Sequence, residues 1–181
     1  MCCAVPVCCD SDGVCDKGEC VNGSGRVRWS SGAYYEGQFR NKHFEGSGAY
    51  ISRTGGRYEG QWYRGMRHGF GVEDFAGGAQ YGGQFDKNSF HGQGTYTFGI
   101  GEFHGSSFHS GNRHVDNSWL WVRPGDKYQG EFRDGSVRTG VAKVTHASTG
   151  KVEWAYSDAN GVFYGFFPDR AGATAACLLK F

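Results

Sequence analysis

Proline is nearly missing, with three residues in 181, and so is any excess of one charge: 19 basic against 18 acidic residues leave a formal net charge of +1. Without a global field, bulk electrostatics imply neither nucleic acid nor an anionic surface, and a basic face would have to come from local arrangement. No apolar run approaches the ~18–20 residues that a membrane span requires. The opening "MCCAVPVCCDSDG" lacks the basic start and long apolar core of a secretory signal. The expectation is therefore a cytoplasmic protein whose seven cysteines are reduced. Glycine is abundant, 32 residues or about two and a half times average usage, but has no every-third period, which excludes collagen. Aromatics make up 16% of the chain, too many for a disordered glycine-rich linker with nothing to bury. Glycine and rings together, with so little proline, indicate an ordered, turn-dense β protein.

The glycines and rings recur at a fixed step. "YYEGQFRNKHFEGSG", "RYEGQWYRGMRHGFG" and "QYGGQFDKNSFHGQG" place Tyr35, Tyr58 and Tyr81, then Gly37, Gly60 and Gly83, then Phe39, Trp62 and Phe85 at one constant interval. Gly-x-Gly pairs keep the same step, among them Gly92 and Gly94, followed by Tyr96. A fixed period of this length means stacked supersecondary units. Within a unit the spacing is two, so Tyr58, Gly60 and Trp62 share one strand face and Glu59, Gln61 and Tyr63 the other. Two short strands and their turns, near Gly65, Asn88, Gly111 and Gly135, fill the whole unit and leave no room for a helix. A strand glycine costs roughly 0.5–1 kcal/mol against alanine, whereas burying one ring contributes on the order of 1.5–3 kcal/mol. Rings from neighbouring strands are accordingly expected over the glycines, as core.

After residue 100 the copies decay but keep register. His104, Ser106 and Phe108 take the Tyr, Gly and Phe positions of a fourth unit, with Trp119 and Trp121 at its later ring positions. After a one-residue insertion, "KYQGEF" restores the motif at Tyr128, Gly130 and Phe132. A further hairpin is expected around Gly161, and the end, "DRAGATAACLLKF", as a short helix capped by Asp169.

These motifs resemble the MORN repeat (membrane occupation and recognition nexus), whose pattern is Tyr-x-Gly-x-Trp/Phe, a turn, His-Gly-x-Gly and two alternating aromatics. The resemblance is strong over 23–98, degenerate over 99–145 and faint beyond. It implies an all-β fold: an elongated single-layer antiparallel sheet of consecutive hairpins, about five to six repeats of about 23 residues. The expected organisation is a Cys-rich segment at 1–20, the array at 21–145, and a C-terminal hairpin and cap at 146–181. MORN arrays occur in cytoskeletal and ciliary scaffolds, in membrane-junction proteins, and beside lipid-kinase and methyltransferase domains, for which these 181 residues leave no space.

The search for chemistry gives no catalytic constellation, so the expectation is a protein that is not an enzyme and needs no cofactor. His68, His91 and His114 stand one period apart, but two strands per unit separate equivalent atoms by about 10 Å, whereas zinc ligands lie ~2.0–2.3 Å from the metal. They are expected to be structural, with a metal shared between two chains as the alternative. Glu36, Glu59, Gln38, Gln61, Gln84 and Glu131 read as a solvated face or a recognition stripe. Arg26, Arg28, Arg53, Arg57, Arg64 and Arg67 read as surface charge or as a phosphoinositide-contacting face. For Cys2, Cys3, Cys8, Cys9, Cys15 and Cys20 three readings stand: a zinc knot, free thiols in a partner-docked tail, or S-acylation at the pairs Cys2/Cys3 and Cys8/Cys9. Cys2 where myristoylation needs glycine, and Cys177 one place too early for prenylation, exclude those two lipids.

A one-layer sheet with rings along one face leaves an apolar groove partly uncovered, where a partner strand, a helix or a second copy docks. The expected function is a structural or adaptor protein in a larger cytoskeletal, ciliary or flagellar assembly, contacting other proteins and no nucleic acid. Trp119, Trp121 and Phe108 are the expected partner contacts. A homodimer through the sheet and attachment to the cytoplasmic face of a membrane are the alternatives.

Overall fold

A computed structural model describes residues 12–100, 123–137, 140–157 and 163–178. The described residues form thirteen strands and one helix, divided between two compact units. One unit holds the described residues up to 76 together with 84–89, and the other holds 77–83 and the described residues from 90 onwards. The fold is all-β, antiparallel and built hairpin by hairpin.

In the first unit β1 (Val14–Gly18), β2 (Gly23–Arg28), β3 (Tyr34–Arg40), β4 (His43–Ile51), β5 (Arg57–Tyr63) and β6 (Met66–Asp74) pair in chain order. Strand length follows from the turns. Asn41–Lys42 and Arg64–Gly65 each have positive φ at both residues (49° and 64°, 49° and 79°), as does Lys87–Asn88 (46° and 72°). That is the type I′ signature, whose twist matches the strands it joins. Each turn is also tied to the hairpin before it: the amides of Lys42, Gly65 and Asn88 donate to the carbonyls of Val21, Phe44 and Arg67.

The registers align the glycines in one row across the unit: Gly18 opposite Gly25, then Gly37, Gly48, Gly60 and Gly71. What covers them matches expectation only in part. Over Gly48 and Gly71 the ring does come from the neighbouring strand, and a Cβ on Gly71 would lie 2.5 Å from the Tyr58 hydroxyl. Over Gly37 and Gly60, however, it comes from the same strand, and a Cβ on Gly37 would lie 2.5 Å from the Tyr35 hydroxyl. One tyrosine thus serves two glycines: the phenol leans along its strand, across its own glycine and onto the partner's. Its hydroxyl donates to the backbone further along (Tyr35 to Gln38 O and Tyr58 to Gln61 O, both 2.9 Å). Tyr35 then stacks on Phe44 at 3.8 Å and meets Phe39 and Trp62 edge-on at 5.2 and 5.3 Å. The rings are core.

The first glycine of each Gly-x-Gly pair is not an ordinary strand residue. Register slips after Gly37 and after Gly60, and Gly46 and Gly69 have φ of 60° and 59°. Each forms a bulge. The amide stranded there is taken up by a side chain: Gln38 Oε1 accepts from Ser47 N at 3.0 Å, and Gln61 Oε1 from Phe70 N at 2.8 Å. These two glutamines, expected on a solvated or recognition face, serve the backbone.

In the second unit β8 (Ser89–Thr97) pairs directly with β9 (Lys127–Arg133), Gly94 opposite Gly130 and Tyr96 opposite Tyr128. Thus β9 occupies the ladder position expected for residues 104–108, because "KYQGEF" has the full Tyr-x-Gly-x-Phe pattern and "HGSSF" lacks its tyrosine. β10 (Ser136–Val137) and β11 (Gly140–Thr145) both return along β9, after a further type I′ turn at Asp134–Gly135. β12 (Val152–Ser157) and β13 (Phe163–Phe167) make the expected C-terminal hairpin. The helix α1 (Arg170–Leu178) follows, with Asp169 Oδ1 accepting from Gly172 N at 2.7 Å as its N-cap. β7 (Gln80–Asp86) contributes its first four residues here.

Candidate interaction face

With Tyr35, Phe39, Phe44, Tyr58 and Trp62 all buried, the ring face of the first unit offers no open apolar groove among the described residues. The exposed apolar surface is on the opposite face. Phe70 is 64% exposed, Tyr63 46% and Val72 41%. Their positions explain this: on β6, Phe70 and Val72 stand where β4 has Ser47 and Ala49. Strand alternation sends these side chains away from the rings. Tyr63 lies at the far end of β5, its ring 5.8 Å from that of His68.

Beside this strip the outer face is hollow. Ser24, Ser47, Ala49 and the bare backbone of the glycine row floor a groove of about 610 Å³, walled by Lys17, Glu36, Glu59 and Gln61. The glycines seat the tyrosines on the ring face, and the outer face is hollow because the alternating positions there carry the small side chains of Ser24, Ser47 and Ala49.

Charge around the groove is largely neutralised in place. Asp16 takes both Arg26 and Arg28, at 2.8 and 3.1 Å, Lys17 pairs with Glu36 at 2.7 Å, and Arg57 pairs with Glu59. The Arg26 hydrogen bond holds the Asp16 carboxyl below its usual value, and the Lys17 ammonium does the same for Glu36. Arg64 lies 5.2 Å over the Tyr63 ring, its own amide held by Glu45 at 3.0 Å.

Arg67 is not on a basic face at all. It takes the repeat position of Phe44 and Phe90, and its guanidinium lies 5.7 Å over the Tyr58 ring and 5.5 Å from that of Phe85. It ion-pairs with Glu73, which replaces Tyr50 and Tyr96 of the flanking repeats, and donates to Asn88 O at 2.7 Å. Burial pushes the Glu73 carboxyl up, against the pull of Arg67. This pair is missed when the arginines are read as a group. The signal lies in two departures from the repeat on one strand.

The second unit carries a cluster that sequence reasoning also misses. Asp126 stands where the repeats have the buried alanines Ala33 and Ala79, and its side chain is only 1% exposed. It faces His146 Nδ1 at 2.9 Å, while His146 Nε2 faces Glu153 at 2.9 Å. The imidazole thus bridges two acids.

Of the histidine ladder, His68 Nδ1 lies 3.2 Å from Asp86, and His91 sits in β8 with its carbonyl accepting from Tyr81. His114 lies outside the described residues, as do Phe108, Trp119, Trp121, Cys2, Cys3, Cys8 and Cys9. Cys15 and Cys20 are joined in a disulfide, which corrects the expectation of reduced thiols there and removes both from a zinc knot. The reason is local: the bulge between Cys15 and Lys17 and the turn after Gly18 bring the two Cα atoms to 6.0 Å. Among the described residues no three His, Cys, Asp or Glu side chains are placed to hold a metal ion.

Comparison with known proteins gives one family. The model of the MORN repeat matches residues 35–57, 58–80, 81–105 and 128–136. No curated protein matches the sequence.

Proposed function

The chain is a MORN-repeat protein, and from that premise we propose that it is a non-catalytic scaffold or adaptor of a cytoplasmic assembly, cytoskeletal, ciliary or flagellar. Its outer face in the first unit meets other proteins. MORN repeats are commonly protein- or membrane-interaction modules, which sets the class of the reading. The observation that carries it further is the strip Tyr63, Phe70 and Val72 beside the glycine-floored groove. Repeats elsewhere put small or polar residues at the two β6 positions: Ser47 and Ala49 in β4, Gln93 and Thr95 in β8. An exposed phenylalanine there adds nothing to the ring core, and large exposed apolar side chains beside a concavity are typical anchors of a protein interface.

The test uses the full chain, tagged at its C-terminus in its native cells, with the double substitution Phe70→Ser and Val72→Ala. The expected result is that wild-type protein stays in the pellet after non-ionic detergent extraction, while the variant, melting at the same temperature, is released. An equally retained variant would remove the outer face from the reading. Release of the wild type by detergent, but not by salt, would replace the scaffold with an acylated membrane adaptor and make Cys2, Cys3, Cys8 and Cys9 the next substitutions.

A further inference from the structure

We propose that Asp126, His146 and Glu153 form a pH-sensitive clasp, closed while the imidazole carries both its protons and opened when it loses one. The argument rests on hydrogen-bond directions. Both ring nitrogens of His146 face carboxylate oxygens, Asp126 Oδ2 and Glu153 Oε2, each at 2.9 Å. An ionised carboxylate only accepts, and a neutral imidazole has a single N–H. One of its two contacts would then set a ring lone pair against a carboxylate lone pair.

A proton on either acid is opposed by that acid's own donors. Asp126 Oδ1 already accepts from Ala147 N at 2.8 Å and Oδ2 from Arg123 N at 2.9 Å. The second oxygen of Glu153 takes the Lys151 ammonium at 2.5 Å. Two amides hold Asp126 ionised and the Lys151 ammonium does the same for Glu153, so the proton these contacts need resides on the ring and the imidazolium is the form that satisfies the cluster.

The remaining charges nearby do not substitute for it. Lys127 and Lys143 fall on the opposite face by strand alternation. Arg170 of α1 lies over the Trp154 ring at 5.7 Å, on the other side of β12 from Glu153. Burial opposes the charge on His146, yet the hydrogen bonds to Asp126 and Glu153 raise its pKa above the ordinary histidine value.

The clasp joins three places in the chain. Asp126 immediately precedes β9, His146 opens the turn from β11 to β12, and Glu153 lies in β12. Asp126 also holds the Ala147 amide, so opening it loosens the 146–151 turn from the start of β9.

The experiment is a ring-proton NMR titration of His146 in the full chain, with the exchange protection factor of the Ala147 amide followed over the same pH range. Glu153→Gln is the comparison, because its amide donates to a neutral ring nitrogen as readily as it accepts from a protonated one. In the wild type His146 should titrate above about 6.5, and Ala147 protection should fall at least tenfold as pH rises through that midpoint. Glu153→Gln should lower the midpoint and flatten the protection profile. A wild-type midpoint at or below the ordinary value overturns the clasp. So does a Glu153→Gln profile that keeps the wild-type fall. If Glu153→Gln does not fold, the wild-type titration decides alone.

Discussion

Arg67 and Glu73 occupy positions that hold Phe44 and Tyr50 one repeat earlier and Phe90 and Tyr96 one repeat later. If the ion pair is a joint replacement for a pair of rings, undoing half of it should cost far more than undoing both. Their side chains are 14% and 18% exposed, and the guanidinium is enclosed by Tyr58, Phe85 and the Asn88 carbonyl. Removing one partner of a buried pair typically costs ~3–5 kcal/mol because the other charge is left uncompensated. The residual exposure lets water reach both groups, so about 2–3 kcal/mol is expected for Arg67→Phe or Glu73→Tyr alone. The double substitution restores the pattern of the flanking repeats, and replacing a buried pair by apolar side chains is often neutral or stabilising. It should lie within about 1 kcal/mol of wild type, a non-additivity of about 3 kcal/mol or more. Urea denaturation of the full chain, read by circular dichroism and tryptophan fluorescence, measures all four corners of the cycle. If the double variant loses the sum of the two singles to within about 0.5 kcal/mol, the residues act independently and the compensation argument is wrong.

Other consequences are quicker to check. Gly71→Ala puts a methyl 2.5 Å from the Tyr58 hydroxyl and should cost about 1–3 kcal/mol, while Gly71→Ala with Tyr58→Leu should cost less than the sum of the two; thermal melts distinguish these. Gln61→Leu strands the Phe70 amide at the bulge and should cost about 0.5–1.5 kcal/mol, visible as faster exchange of that one amide. In acid the C-terminal cluster should weaken. Burial alone would raise Asp126, but the Arg123 and Ala147 amides and His146 hold its carboxyl below the usual value. The Lys151 ammonium does most of the same for Glu153. Depressed carboxyls contribute fully above their unfolded values of about 3.9 and 4.3 and lose that contribution as pH falls through the folded ones. Asp126→Asn should flatten this acid limb in melts taken between pH 2 and 6, and an unchanged limb would place the acid sensitivity elsewhere.

How far the sequence reaches is clearest at the tyrosines. Period-two spacing is enough to put Tyr35, Phe39, Tyr58 and Trp62 on one face, because alternation is a property of any strand. It does not tell that one ring covers two glycines, its own strand's and its neighbour's. That depends on the phenol lying along its own strand, a rotamer choice made by packing on Phe44 or, in the next repeat, by Arg67. The bulge at Gly46 and Gly69 is hidden for a similar reason. A repeating glycine looks the same whether it gives room or gives positive φ, and only the register slip and the bonds accepted by Gln38 and Gln61 separate the two.

Departures from a repeat carry the information that the repeat itself cannot. Where the equivalent position of a neighbouring repeat holds a ring or an alanine, a charge must find a partner or leave the core, since burying it alone is prohibitive. Arg67 replacing phenylalanine therefore required an acid within reach, and Glu73, replacing tyrosine at the strand position opposite Tyr58, is that acid. Asp126 replacing alanine likewise required donors, and found His146 together with the Arg123 and Ala147 amides. Phe70 and Val72 follow the opposite logic. An apolar side chain replacing Ser47 and Ala49 on the outer face gains nothing from the ring core, and under the proposed function a partner covers it. A partner that covers this strip should shield the Phe70 and Val72 side chains from hydroxyl-radical labelling while leaving the ring-face Tyr58 and Trp62 unchanged. Protection confined instead to the ring side would mean that the sheet is read from its other face.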